Sequence, residues 1–212
     1  MGTDIHQLNV FLDDDYSIVR CESEHDGGFI TVDEQKIRSE MFDLIPELVD
    51  YRSYDVFGVL AGVRGSFMKI KGSSHDPFDA SLESNDDKAI HLMRSICCRS
   101  RNSALSYEES DDDDLMLCDS CIHSHTWYHP HELIRSLQFT TQKIDAVVGT
   151  DIYEKFPIIM EYESDMFIDD IICLKQMLTQ IYEKLIDAKD RIAKDANGVS
   201  FDKSVVMFYF DS

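Results

Sequence analysis

Nowhere in this chain of 212 residues do 18 or more apolar residues run together, so no segment is long enough to span a bilayer as a helix. The N-terminus also lacks a basic region followed by a hydrophobic stretch. The expectation is a protein that neither crosses a membrane nor leaves the cell by a standard signal. Basic residues are scarce: 20 Lys and Arg stand against 41 Asp and Glu, a formal charge of -21. That imbalance opposes direct binding to a phosphate backbone. It also admits an acidic decoy that occupies a nucleic-acid-binding protein. Six cysteines (21, 97, 98, 118, 121 and 173) are too few for a disulfide-dense scaffold and read as reduced thiols. Walker loop, dinucleotide glycine fingerprint, nucleophile elbow and His-Glu-x-x-His are all missing, which removes the best-marked enzyme classes.

What is present is 43% hydrophobic residues with 12 Phe and 9 Tyr, enough for a substantial core in one domain spanning 1–212. Residues 4–12 read as a strand, and Asp13-Asp14-Asp15 as a turn into a second strand from Tyr16 to Cys21. His25-Asp26-Gly27-Gly28 is a further turn. Residues 32–49 read as helical, with Ile37, Met41, Leu44, Ile45 and Leu48 on one face. A second helix follows with Ser53 as N-cap and Tyr54, Phe57, Leu60, Ala61 and Arg64 on one face, ended by Gly65. Residues 65–85 read as an irregular loop, and 87–98 as a short helix.

Residues 99–120 change character, with six carboxylates in the seven positions 108–114, and read as a solvated acidic loop or insertion. A calcium loop is the alternative there, although EF-hand spacing is missing. Residues 121–127 form a strand and Pro130 opens a helix through Leu137. From Ser164 to about 194, Phe167, Ile171, Leu174, Leu178, Ile181, Leu185, Ala188 and Ile192 step by fours and threes. Such a seam packs on the chain's own core or mediates a homo-oligomer. Asn197-Gly198 is a turn before a final apolar strand, Val205 to Phe210, expected to be internal to the sheet. The fold class is α+β: a mixed or antiparallel sheet holding both terminal strands, packed against several helices, one long and C-terminal.

Chemistry-bearing residues gather in two short segments. Asp4 and His6 lie two apart, as do His123 and His125, so in extended strands each pair shares a face, and Trp127 extends the second. If the two strands are neighbours, these residues make one polar cluster. Asp4, His6, His123 and His125 are then candidate ligands for a divalent metal such as Zn or Mn, without diagnostic spacing. A buried, hydrogen-bonded Asp4–His6 pair that merely fixes the strand is the plain alternative. Cys118, Cys121, His123 and His125 suggest structural zinc, but four ligands within eight residues of a strand cannot easily surround an ion. Arg52 and Arg64 can fork onto phosphate or carboxylate. Twelve residues apart on one helix, they are separated by roughly 18 Å.

These segments carry a resemblance. Met1-Gly2-Thr3-Asp4-Ile5-His6, the helix carrying Arg52, Tyr54, Phe57, Leu60, Ala61, Val63 and Arg64, the strand and helix with His123, Ser124, Trp127, Glu132 and Leu133, and the closing Phe208, Phe210 and Asp211 follow one another in order. Together they resemble a widespread group of bacteriophage proteins with a Met-Gly-x-Asp-Ile-His start. The chain departs from that pattern at His125, at Ser212, and at residues 71–77, where a Pro-Arg-Gly-rich loop is replaced. The resemblance implies a viral accessory protein working in the cytoplasm of an infected bacterial host, and supplies no reaction.

Three functions fit these residues. The first is binding of a nucleotide or phosphate-bearing small molecule by Asp4, His6, Arg52, Tyr54, Arg64, His123 and Trp127, which would suit sequestration of a host defence signal. The second is metal-dependent phosphoester hydrolysis at Asp4, His6 and His123. The third is inhibition of a protein partner through the acidic surface.

Overall fold

The structure is a computed structural model that describes residues 5–15, 17–24, 29–32, 35–50, 53–61, 122–148, 168–193 and 198–211. Among the described residues the elements run in the order β1 (Ile5–Leu12), β2 (Ile18–Ser23), β3 (Phe29–Val32), β4 (Gln35–Met41), α1 (Tyr54–Ala61), β5 (Ile122–Tyr128), α2 (Pro130–Val148), α3 (Ile168–Ile192), a 3-10 turn (Phe201–Lys203) and β6 (Ser204–Asp211). The irregular 65–85 loop, the 87–98 helix, the acidic run within 99–120, the turn at 25–28 and Cys97, Cys98, Cys118 and Cys121 lie outside the described residues.

The six strands form one mixed sheet in the order β3-β4-β2-β1-β6-β5, which makes the protein α+β. All neighbours are antiparallel except β2 and β4, which run parallel with Cys21 opposite Ser39. The apolar C-terminal strand β6 is internal, as its composition predicts. It lies between β1, with Val10 opposite Val205, and β5, with Trp127 opposite Met207.

On one sheet face, Phe11, Tyr128, Val206 and Phe208 join a core with Val56, Phe57 and Leu60 of α1, Leu133, Leu137 and Ile144 of α2, and the whole described seam of α3 from Ile171 to Ile192. The seam therefore closes the chain's own core. Helix α3 runs antiparallel to α2, since Lys175 pairs with Asp145 while Gln138 Nε2 donates to Tyr182 Oη at 3.0 Å. The alternate residues Leu8, Val10, Leu12, Cys21, Trp127, Val205 and Met207 are buried as well, so both faces of the central strands are shielded from water. Among the described residues, no helix is long and apolar enough to cross a membrane.

Helix α1 begins as expected: Ser53 Oγ accepts the Val56 N–H at 3.3 Å, the bond that defines an N-cap. Helix α2 starts at Pro130, where a missing N–H has no consequence, and its Leu133 N–H donates to His129 O at 3.0 Å. It runs to Val148, well past Leu137.

The expected helix over 32–49 is absent. Residues 29–32 and 35–41 instead form the β3–β4 hairpin, and 42–50 carry no regular structure. Leu44, Ile45, Leu48 and Val49 are still buried, so their helix-like spacing does report burial. The satisfaction of the backbone explains the difference. Buried N–H and C=O groups outside a helix must find other partners, and three buried side chains of β1 and β2 supply them. Glu22 accepts the N–H groups of Leu44 at 3.0 Å and Ile45 at 3.2 Å. Asn9 Nδ2 donates to Ile45 O at 2.6 Å. Gln7 accepts the Leu48 N–H at 2.7 Å and donates to Pro46 O at 3.0 Å. Arg20 stands 3.0 Å from the buried Glu22 carboxylate and reaches Glu40 and Asp43 as well. A full negative charge beneath the loop is thus paired as well as hydrogen-bonded.

Candidate functional site

His6 sits where β1 begins, beside the end of β2. Its Nδ1 lies 2.5 Å from Glu24 Oε1, and both side chains are about one-quarter exposed, at 22% and 25%. Loop 42–50 brings Glu47 within electrostatic reach of this pair. The Glu47 carboxyl is pushed above its ordinary value, first by burial and then by the charges of Glu24 and Asp50, while Lys184 and His6 oppose the rise. Lys184 reaches in from α3. Its Nζ donates to Glu47 O at 2.8 Å and Leu48 O at 3.3 Å, with Asp50 at 3.8 Å. Among the described residues, Lys184 and Asp50 thus flank Glu47, whose carboxyl also feels the His6–Glu24 pair.

Other predicted site residues stand close to this corner in the chain. Asp4 precedes His6 by two positions, and Arg52 follows Asp50 by two. Asp4, Arg52 and Arg64 lie outside the described residues. Tyr54 is the first residue of α1, and only its backbone is described. Glu24, Glu47, Asp50 and Lys184 had no sequence signal. Each sits in a turn, a loop or a helix face, and only the antiparallel pairing of β1 with β2 brings Glu24 to His6, while the docking of loop 42–50 brings Glu47 and Asp50 to Lys184.

The second predicted segment lies elsewhere. Strand β5 does not neighbour β1, because β6 intervenes, so the two segments are separated by two interstrand spacings, roughly 10 Å. Alternation within β5 is interrupted too. His123 pairs with Phe210 and Thr126 with Phe208, leaving Ser124 and His125 opposite one residue. That register shift ends the expected alignment of His123 with Trp127 on one face. A strand bulge carries no reliable mark in a single sequence, which is why regular alternation was the expectation. Of the side chains of His123 and His125 nothing is described.

Trp127 is 1% exposed and belongs to the shielded sheet face, not to a surface on which a base can stack. Its ring meets His129 edge-on at 5.4 Å between centroids, and His129 stacks on His131 at 5.9 Å. His129 Nδ1 lies 3.3 Å from Ser204 O. His129-Pro130-His131 is thus a helix start, as its sequence suggests.

Among the described residues, no group of three or more His, Cys, Asp or Glu is arranged to hold a metal ion. His6 is the one predicted metal ligand whose side chain is described, and a carboxylate on its Nδ1 is an arrangement common to metal-binding and proton-handling imidazoles alike. Cys21 is neither ligand nor nucleophile. Burial, reinforced by the adjacent Glu22 charge, pushes its thiol up to about 12, so the thiolate is not accessible near neutrality. Comparison with protein-family models, with curated proteins and with solved structures finds no match.

Proposed function

We propose that this chain is a bacteriophage accessory protein that binds a nucleotide or related phosphate-bearing small molecule at the His6 corner, in the cytoplasm of the infected host. Sequestering a host defence signal is the use that fits a binding protein of this kind. The observation that carries the reading is the partly exposed His6–Glu24 pair at 2.5 Å, with Asp4 two residues from His6 in the chain and the charges of both partners acting on the Glu47 carboxyl. The electrostatics divide the labour. Three carboxylates repel phosphate, so the phosphate falls to Arg52 and Arg64, whose planar forks donate in pairs. Carboxylates and imidazole then take sugar hydroxyls and base amino groups. Tyr54 is the stacking aromatic, because Trp127 is enclosed in the core. His123 takes a secondary place, two strands from β1.

Titration calorimetry with a panel of linear and cyclic nucleotides, with and without Mn or Zn, tests this reading, with chromatography of each mixture afterwards. The expected result is saturable binding of at least one nucleotide, recovered unchanged, and weakened roughly tenfold or more by Arg52→Ala. A panel in which nothing binds sinks it. Recovery of a cleaved product, abolished by a chelator, replaces it with metal-dependent hydrolysis, with Asp4 and His6 as the candidate ligands.

A second reading, inhibition of a protein partner through an acidic surface, draws on the exposure of Asp14, Asp43 and Asp50, at 92%, 70% and 60%, under a net charge of -21. Co-purification of a host nucleic-acid-binding protein, in a salt-sensitive complex, favours it.

A further inference from the structure

We propose that Glu24, a residue with no motif around it, is a positioning residue that sets the tautomer of His6; its relevance to ligand binding rests on the reading above. A carboxylate only accepts hydrogen bonds, so at 2.5 Å from Nδ1 the Glu24 oxygen requires that nitrogen to carry the proton. In the neutral ring Nε2 then takes the acceptor role, as a group receiving a hydroxyl proton or holding a cation must. A free histidine side chain favours the proton on Nε2, so the pairing changes what His6 presents.

Geometry supports a specific arrangement over a chance surface contact. Both side chains are about three-quarters covered, and they come from the start of β1 and the residue just after β2, 18 residues apart. The corner is also fixed from below. Lys184 ties loop 42–50 to α3 through Glu47 O and Leu48 O, and Gln7, the next residue of β1 after His6, ties it to the sheet through Leu48 N–H. His6 itself is held in β1, opposite Tyr209 of β6, which fixes the backbone from which its ring projects.

Nitrogen-15 spectra of the imidazoles test the tautomer without any ligand, at a pH where free imidazole is neutral, with the His6 signal identified by its loss in His6→Gln. The expected result is a proton on Nδ1 in the wild type, a shift toward the Nε2-protonated form in Glu24→Ala, and retention of the Nδ1 proton in Glu24→Gln, whose amide oxygen still accepts. A wild-type ring protonated on Nε2, or a Glu24→Ala spectrum like the wild type's, overturns the proposal. Circular dichroism verifies that each variant is folded, and Glu24→Gln serves if Glu24→Ala is not. With a nucleotide that binds, Glu24→Ala should weaken it roughly tenfold or more and Glu24→Gln should restore most of the loss. If the tautomer behaves as expected while no nucleotide binds, the role of Glu24 stands and the nucleotide reading falls.

Discussion

Helix α3 and loop 42–50 bury apolar side chains against the same core, yet they do so by opposite means. In α3 the backbone satisfies itself, since every turn closes its own hydrogen bonds, and Ile171, Leu174, Leu178, Ile181, Leu185, Ala188 and Ile192 need only point inward. In the loop Leu44, Ile45, Leu48 and Val49 point inward too, but their peptide groups depend on Glu22, Asn9 and Gln7, as many as 41 residues away in sequence. Apolar periodicity therefore reports burial in both regions and backbone conformation in only one. The same contrast extends to chemistry. The self-sufficient helix contributes the anchoring ammonium of Lys184, whereas the borrowed loop carries Glu47 into the electrostatic reach of His6 and Glu24.

The comparison can be broken most forcefully at the seam. Leu178→Ala removes a fully buried side chain and is expected to cost about 2–5 kcal/mol in urea unfolding, because the rigid helices around it cannot collapse onto the space. A cost near zero would mean that α3 does not form the core. In the loop, Asn9→Ala leaves Ile45 O without its side-chain donor and is expected to cost about 1–3 kcal/mol. Combined with Gln7→Ala, its effect should depart from additivity, since Gln7 Nε2 also donates to Asn9 Oδ1 at 2.8 Å. Strict additivity would show that the two side chains do not act as one unit.

The smallest effect depends on pH. The folded-state pKa of Glu47 lies above its ordinary 4.5, so between those two values the folded chain binds more protons than the unfolded one. The stabilising contribution of the protonated carboxyl is complete below 4.5 and is lost as pH rises through the folded value. Glu47→Gln should remove that loss, making the variant more stable than the wild type at neutral pH and equal to it in acid. Chemical unfolding at a series of pH values checks this, and a variant less stable at neutrality would contradict it.

The legibility of the fold follows the same division. Strands β1, β2, β5 and β6 and helices α1, α2 and α3 all answer to local patterns: alternation, the Ser53 cap, Pro130 at a helix start, and a seven-residue apolar repeat. The β3–β4 hairpin was missed because Ile37, Met41, Leu44, Ile45 and Leu48 mimic one helix face while belonging to a strand and an irregular segment. Of the candidate site, His6 was legible as a chemistry-bearing residue at a strand start. Its partner Glu24 was not, since a carboxylate in a turn has no pattern to distinguish it from a solvated one. Trp127 was legible as an aromatic near histidines, but its enclosure between strand and core depended on the faces of a finished sheet.

By itself, the amino-acid sequence determined which segments become strands and helices wherever hydrogen bonds close locally, together with the α+β class and the strong negative charge. The tertiary structure alone decided that β6 separates β1 from β5, that residues 42–50 stay irregular, and that His6 meets Glu24. The reason is range. A helical turn is completed within four residues, whereas strand order and the partners of a buried peptide group are chosen among groups that only folding brings together.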